Sequence, residues 1–170
     1  MGTSFRNIQI HNPGHKMEYD LEEEYCIEHL VEDWDTIFED SCETEFEEVR
    51  EEAVRLSERV YTPVISISYF DDMLFAIEVL VNGESAAYHF VGDEGVDTKN
   101  VSVLMDALRI SPELEMPFRN IIKKVDFAPD CINLMSNLCR VPLGACFIDE
   151  EQNSYKFMAL PEVLDEIAAY

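Results

Sequence analysis

Apolar and polar residues alternate along the stretch from Pro63 to Val91, which reads PVISISYFDDMLFAIEVLVNGESAAYHFV. A period of two is typical of β-strands, because successive side chains of a strand point to opposite faces of the sheet. The alternation is interrupted at Asp71-Asp72 and at Asn82-Gly83, and the second pair tolerates the positive φ angles of a type I′ hairpin turn. The stretch therefore predicts a three-strand antiparallel meander over about residues 64–91.

An amphipathic helix is predicted directly before the meander, from Thr44 to Val60. Thr44-x-x-Glu47 is a capping box, in which the two side chains satisfy free amides at the start of a helix. Apolar residues follow at helical spacing, namely Phe46, Val49, Ala53, Leu56 and Val60. Because only one side of this helix is apolar, we expect it to pack on a sheet.

Shorter elements are predicted on both sides of this unit. Towards the N-terminus we expect a strand over 4–10, a turn over 11–15, a short helix with Leu21, Tyr25, Ile27 and Leu30, and a strand over 34–38. Towards the C-terminus we expect an acidic loop at 92–95, helices beginning near Asn100, Pro112 and Pro129 with a break or a restart at Pro117, a hairpin of 145–148 with 155–158, and a helix over 161–169. No linker marks a boundary, so residues 1–170 are predicted to form a single α+β domain. Its largely antiparallel sheet is expected to carry the 44–60 helix and the later helices mainly on one face.

The net charge restricts the partners of the chain. Thirty-six acidic and twelve basic residues give a formal charge of −24. A field of that sign repels nucleic acids and anionic membranes, so we predict neither as a partner, whereas it attracts basic proteins. Because 47% of the residues are hydrophobic, the acidity does not indicate disorder. Solubility alone remains an alternative explanation of the charge.

The cysteines indicate a reducing environment. Five are present, at positions 26, 42, 131, 139 and 146, with no C-x-x-C spacing. The sequence shows no secretory signal pattern and no apolar run near the ~18 residues that a membrane span needs. We therefore expect a cytoplasmic protein whose thiols are mostly buried.

Acidic residues are concentrated between positions 17 and 52. Residues 1–60 hold eighteen acidic and five basic side chains, a balance of −13, with aromatic residues interleaved. This pattern predicts a face for a basic partner, in which carboxylates accelerate the encounter and aromatic side chains provide anchors. The predicted steering residues are Glu22, Glu23, Glu24, Glu28, Asp33 and Asp35, and the predicted anchors are Tyr25 and Trp34. The alternative is a solvated acidic surface.

A metal site is considered at the turn between His11 and His15. These imidazoles flank a Pro-Gly pair and could bind one ion together with Glu18 or Asp20. No third ligand has a defined spacing, and exposed turn residues explain the pair more simply. We therefore predict no metal and no cofactor.

An enzyme is the alternative to a binding protein. Its site would be assembled from residues distant in the sequence, with His89, Asp71, Asp72 or His11 as candidates, although strand and turn roles explain each of them. Cys139 and Cys146 could form a reactive pair, but two buried thiols are the simpler expectation. A self-associating structural or regulatory module is a third possibility, and the sequence does not indicate an oligomeric state.

The order of the elements over about residues 45–140 resembles a known group of proteins. An amphipathic helix enters a meander with an Asp-Asp turn, and the short helices LMDALRI and CINLMSNLC follow. In this the chain is similar to small acidic α+β immunity proteins of bacterial toxin–immunity loci. The resemblance implies a non-catalytic inhibitor that binds a basic toxin, such as a nuclease, and blocks its active site.

Overall fold

Seven strands form one antiparallel sheet in the computed structural model, which describes residues 2–39, 46–146 and 155–170. The strands are β1 (Phe5–His11), β2 (Tyr25–Val31), β3 (Trp34–Glu39), β4 (Val64–Phe70), β5 (Leu74–Val81), β6 (Glu84–Gly92) and β7 (Gly95–Lys99). Their order across the sheet is β2-β3-β1-β4-β5-β6-β7, so β2 and β7 form the edges. The helices of these ranges are α1 (Phe46–Ser57), α2 (Val101–Ala107), α3 (Glu115–Lys124), α4 (Ala128–Cys139) and α5 (Leu160–Ala168), with 3-10 turns at Pro13–His15 and Pro112–Leu114. The predicted α+β class is confirmed.

The predicted meander corresponds to β4, β5 and β6. Asn82 and Gly83 have φ angles of 51° and 80°, as a type I′ turn requires. Asp71 and Asp72 also have positive φ angles, 51° and 57°, and the amide of Met73 donates to the carbonyl of Phe70 at 3.0 Å. Both connections are therefore tight turns that fix the register of the strands.

The helices cover both faces of the sheet. Val49, Ala53 and Leu56 of α1 pack in one cluster with Ile8 and Val64. The other face carries a larger cluster to which α2, α3, α4 and α5 contribute. The later helices thus share one face as predicted, but placing α1 with them is wrong. Buried apolar residues lie on both sides of the central strands, as Val64 and Ile65 in β4 illustrate, and each side is covered by its own helices.

Two edge elements differ from expectation. The helix predicted around Leu21 to Leu30 is wrong, because β2 pairs with β3, for example at Ile27 with Ile37. The acidic loop at 92–95 is instead the turn of a hairpin, in which Gly92 pairs with Gly95 and β7 continues beside β6. In both places pairing with a neighbouring strand overrides weak local preferences.

The later helices agree with the sequence except at their boundaries. Asn100 precedes α2 but has a φ of 56°, and its side chain donates to the carbonyl of Ala86 rather than capping the helix. Of the break or restart expected at Pro117, the structure shows the restart, because α3 begins at Glu115 directly after the 3-10 turn Pro112–Leu114. Pro117 lies in the first turn of α3, where its missing N–H breaks no helical hydrogen bond.

Some expectations fall on residues that the structure does not describe. The capping box at Thr44, the side chain of Phe46 and the loop of the hairpin predicted near the C-terminus belong to this group. The described flanks of that hairpin, 145–146 and 155–159, have no strand conformation. No helix within the described ranges is long and apolar enough to cross a membrane.

Candidate functional site

An acidic groove lies between α1 and the segment that leads into β2. It has a volume of about 380 Å³ and is lined by Glu22, Glu24, Tyr25, Glu48, Glu51, Glu52 and Arg55. The amphipathic pattern of α1 produces it, since the apolar stripe of the helix packs on the sheet and leaves the charged side facing the chain before β2. Five carboxylates and one guanidinium leave a balance of −4 around the groove.

One carboxylate of this acidic groove is neutralised internally. Glu52 is buried, and Arg55 donates to its two oxygens at 2.5 and 2.7 Å. Glu22, Glu24, Glu48 and Glu51 are exposed, and none of them forms an ion pair with the residues that the structure describes. A hydrogen bond from the protonated form of Glu22 to Glu24, together with the charge of Glu24, raises the pKa of Glu22 above the usual range, as expected for crowded carboxylates. The acidic groove therefore has uncompensated negative charge.

Tyr25 provides an aromatic wall of the acidic groove. Its hydroxyl donates to the backbone carbonyl of Glu48 at 3.4 Å, which joins the start of β2 to α1. Burial, followed by the charges of Glu39 and Glu52, raises the pKa of Tyr25. The phenol is therefore neutral at physiological pH and offers a ring face beside exposed carboxylates. Of the predicted partner-binding residues, the structure brings Glu22, Glu24 and Tyr25 together here.

Three other predicted residues lie outside the acidic groove. Glu23 and Glu28 are exposed, before and on β2 respectively. Asp33 is a turn residue with a φ of 65°, and its Oδ1 accepts a hydrogen bond from the amide of Gly14 at 3.0 Å. Glu23 and Glu28 can contribute long-range attraction, whereas Asp33 has a local structural role.

The structure does not support partner contacts by Trp34 and Asp35. Trp34 is 6% exposed and belongs to the larger core cluster, with its ring 5.2 Å from that of His11. Asp35 is 1% exposed. A buried indole and a buried carboxylate cannot contact a partner at the surface, so assigning these two residues to an exposed face is wrong. Trp34 and Asp35 are both covered because β3 lies inside the sheet and both faces of the sheet are packed.

Asp35 instead organises a polar cluster. Its Oδ2 accepts hydrogen bonds from Asn12 Nδ2 at 2.6 Å and from the Tyr19 hydroxyl at 2.7 Å. Its Oδ1 lies 2.5 Å from His15 Nδ1 and 2.8 Å from His29 Nδ1. Burial by itself would raise the pKa of Asp35, but the hydrogen bonds from Asn12, Tyr19 and His15 and the charge of His29 lower it below the usual range. Asp35 is thus a buried, ionised carboxylate.

The partners of His15 differ from those considered in the sequence. His11 lies against Trp34, and Asp20 forms an ion pair with Arg59 at 2.6 Å. Neither of these residues joins His15, whose neighbours are His29 and Asp35. Sequence spacing could not identify His15, His29 and Asp35 as a set. The three residues meet only because β2 and β3 pair beside the turn that follows β1. The strand of Asp35, Trp34–Glu39, also contains Thr36 and Glu39, so its sequence pattern does not mark Asp35 as a functional residue.

His89, the first candidate for an enzyme site, is fully buried. Its Nδ1 lies 2.7 Å from Thr98 Oγ1, and its Nε2 lies 3.5 Å from Cys131 Sγ. Burial lowers the pKa of His89 to about 4 and raises that of Cys131 to about 12. The pair is therefore a neutral imidazole beside a neutral thiol, which is the arrangement of a packed core.

The remaining candidates have structural roles. Asp71 and Asp72 provide the positive φ angles of a turn, and Asp72 accepts a hydrogen bond from Tyr69 at 3.0 Å. Burial raises the pKa of Cys139 to about 12, as an inert thiol requires. Cys146 is exposed, so the expectation that it is buried in a strand is wrong.

Comparison of the chain with protein-family models, curated proteins and solved structures found no match.

Proposed function

We propose that this protein is a non-catalytic binding protein that takes a basic protein partner in the acidic groove. The observation that carries the proposal is the set of exposed carboxylates, Glu22, Glu24, Glu48 and Glu51, around one opening without ion-pair partners of their own among the described residues. Carboxylates that repel one another across a groove gain most from a cation placed between them. A lysine or arginine side chain of a partner supplies such a cation.

The shape of the acidic groove suits a long basic side chain. Its volume of about 380 Å³ is that of a small binding site, and the ring of Tyr25 forms one wall. An aromatic face attracts a guanidinium or an ammonium group, while the carboxylates accept its hydrogen bonds. The surrounding net charge of −24 accelerates the encounter with a basic surface.

For the identity of the partner we propose a basic toxin, with a nuclease as the specific class. The similarity of the element order to immunity proteins supports this, and so does the charge. A nuclease binds a polyanion through a basic surface, which a strongly acidic protein can cover. We place the encounter in the cytoplasm, where the four described cysteines, none of which forms a disulfide bond, remain reduced.

The test compares two variants that lose the same charge. Glu48→Gln/Glu51→Gln removes two carboxylates from the acidic groove, and Glu162→Gln/Glu166→Gln removes two exposed carboxylates from α5. Each tagged full-length chain is immobilised, exposed to a lysate of the native host and eluted with salt steps. We expect a basic protein to elute at moderate salt from the wild type and from the α5 variant, and to be depleted on the groove variant. Equal retention on all three chains, or no retention at low salt, would overturn the proposal.

A further inference from the structure

Three side chains with metal-binding atoms converge beside the edge of the sheet. His15, His29 and Asp35 each offer one ligand atom, an imidazole nitrogen or a carboxylate oxygen, and these three atoms all lie within 4.8 Å of one another. The two imidazole rings are 4.0 Å apart at their centroids and tilted by 40°. In the part of the chain that the structure describes, this is the only set of three or more His, Cys, Asp or Glu side chains placed in this way.

The backbone that presents these side chains is fixed at several points. His15 ends the turn after β1, where it has a φ of 52° and Gly14 has a φ of 66°. The amide of Asn12 donates to the carbonyl of Asp33 at 2.8 Å, which ties this turn to the β2–β3 turn. His29 and Asp35 lie on paired strands, so the three groups come from three ordered segments.

Asp35 is held in one orientation by groups behind it. Asn12 and Tyr19 both donate to its Oδ2, which leaves Oδ1 directed at the imidazoles. Asn12 is itself fixed, because its Oδ1 accepts a hydrogen bond from the amide of Met17 at 2.9 Å. Hydrogen bonds that orient a ligating carboxylate are a regular part of metal sites.

The charge of Asp35 has no permanent counter-ion. Its carboxylate is 1% exposed, and no lysine or arginine among the described residues lies within ion-pair distance of it. A buried carboxylate requires compensation by hydrogen bonds and by positive charge. The two imidazoles supply a positive charge only when protonated, whereas a bound cation supplies it permanently.

We propose that His15, His29 and Asp35 form a binding site for a divalent first-row transition metal ion, of which zinc is our choice. Two imidazole nitrogens and one carboxylate oxygen suit zinc better than Mg²⁺ or Ca²⁺, which prefer oxygen ligands. Ligand atoms of tetrahedral zinc lie roughly 3.3 Å apart, so Nδ1–Oδ1 separations of 2.5 and 2.8 Å need to open by less than about 1 Å. The His29 side chain is 54% exposed, which gives the ion a path and leaves a fourth position for water.

The test uses zinc itself on the full chain. Protein freed of metal with a chelator is titrated with Zn²⁺ by calorimetry in the presence of salt and excess Mg²⁺, which occupy exposed carboxylates. We expect one zinc ion per chain, at least about tenfold weaker binding by His29→Ala, and binding by His11→Ala within about twofold of wild type. His11→Ala is the matched control, because it removes a histidine near the same turn that is not a ligand. Tyr19→Phe removes only the hydroxyl behind Asp35 and is expected to weaken zinc binding with the fold intact.

A second readout separates a defined site from general attraction to an acidic surface. Co²⁺ bound to these three side chains is expected to give visible absorption bands that His29→Ala abolishes and that Glu48→Gln/Glu51→Gln preserves. Equal zinc affinity of the wild type and His29→Ala, or the absence of zinc binding by the wild type, would overturn the proposal. The cluster would then be a network of hydrogen bonds only. The outcome is independent of the acidic groove and of any protein partner.

Discussion

Arg55 donates two hydrogen bonds to the buried carboxylate of Glu52, from Nε at 2.7 Å and from Nη2 at 2.5 Å. The same Nη2 donates to the carbonyl of Asp20 at 2.6 Å, which fixes the segment before β2 against α1. This guanidinium therefore neutralises the charge of Glu52 and joins the two sides of the acidic groove, α1 and the segment before β2.

Loss of this guanidinium is expected to destabilise the fold. Arg55→Met keeps the aliphatic stem but leaves Glu52 buried without a partner, which we expect to lower the free energy of unfolding by about 1–3 kcal/mol. The range is below that of a fully buried pair, because the Arg55 side chain is 25% exposed. Urea unfolding measures the effect. Arg59→Met is the control, since its pair with Asp20 is exposed and is worth less than about 1 kcal/mol. Equal midpoints for the two variants would contradict this role.

The buried imidazole of His89 predicts a loss of stability in mild acid. Its folded-state pKa of about 4 is below the ordinary histidine value of 6.5, so the unfolded chain takes up a proton first. The free energy of unfolding is therefore expected to fall by roughly 3 kcal/mol as the pH drops from 6.5 to about 4, and to be unaffected by this group above 6.5. Denaturant unfolding at a series of pH values measures the slope.

His89→Gln isolates the contribution of this imidazole. The variant is expected to be less stable at neutral pH and to lose most of the slope between pH 6.5 and 4. His11 contributes in the same direction, because burial and the charge of Arg109 lower its pKa. The pKa values of Asp35 and Glu78 are also lowered, so their contributions to stability are lost only as the pH falls below their ordinary values of 3.8 and 4.5, at the acid end of this range and beyond it. An unchanged slope in His89→Gln would show that other groups control the acid sensitivity.

Asn7 joins the N-terminal strand to the segment after α4. Its Nδ2 donates to the carbonyls of Leu143 and Ala145, both at 2.9 Å and both buried. Asn7→Ala leaves these two carbonyls without that donor, and we expect a loss of about 2–3 kcal/mol in the free energy of unfolding. Asn120→Ala, at a half-buried position of α3, is the control and is expected to change stability by less than about 1 kcal/mol. Similar losses in both variants would argue against a special role of Asn7.

The sequence predicts those parts of the fold in which local signals agree. Strong alternation and Asn82-Gly83 specify the meander, and the stripe of Val49, Ala53 and Leu56 specifies α1. The strand β2 could not be recognised, because it is a half-exposed edge strand whose conformation depends on pairing with β3. The side of the sheet on which α1 packs could not be predicted either, because β4 and β5 bury apolar residues on both faces, Val64 and Leu80 on one and Ile65 and Val79 on the other.

The acidic groove was predictable only in part. Charge density indicated Glu22, Glu24 and Tyr25, but the contribution of α1 depends on the packing of that helix beside the segment before β2. A count of acidic residues carries no information on burial and therefore predicts, wrongly, that Asp35 lies at the surface. Its meeting with His15 and His29 depends on the pairing of three segments and has no signature in spacing.

The rate of association between this protein and the basic partner retained in the capture experiment tests the central proposal most directly. Stopped-flow measurements at low and at physiological salt compare the wild type, Glu48→Gln/Glu51→Gln and Glu162→Gln/Glu166→Gln. We predict that the groove variant associates roughly tenfold more slowly than the α5 variant at low salt, and that salt reduces this difference. Both variants are expected to unfold at the same urea concentration as the wild type. Equal association rates for the two variants would contradict a role of the acidic groove in partner binding.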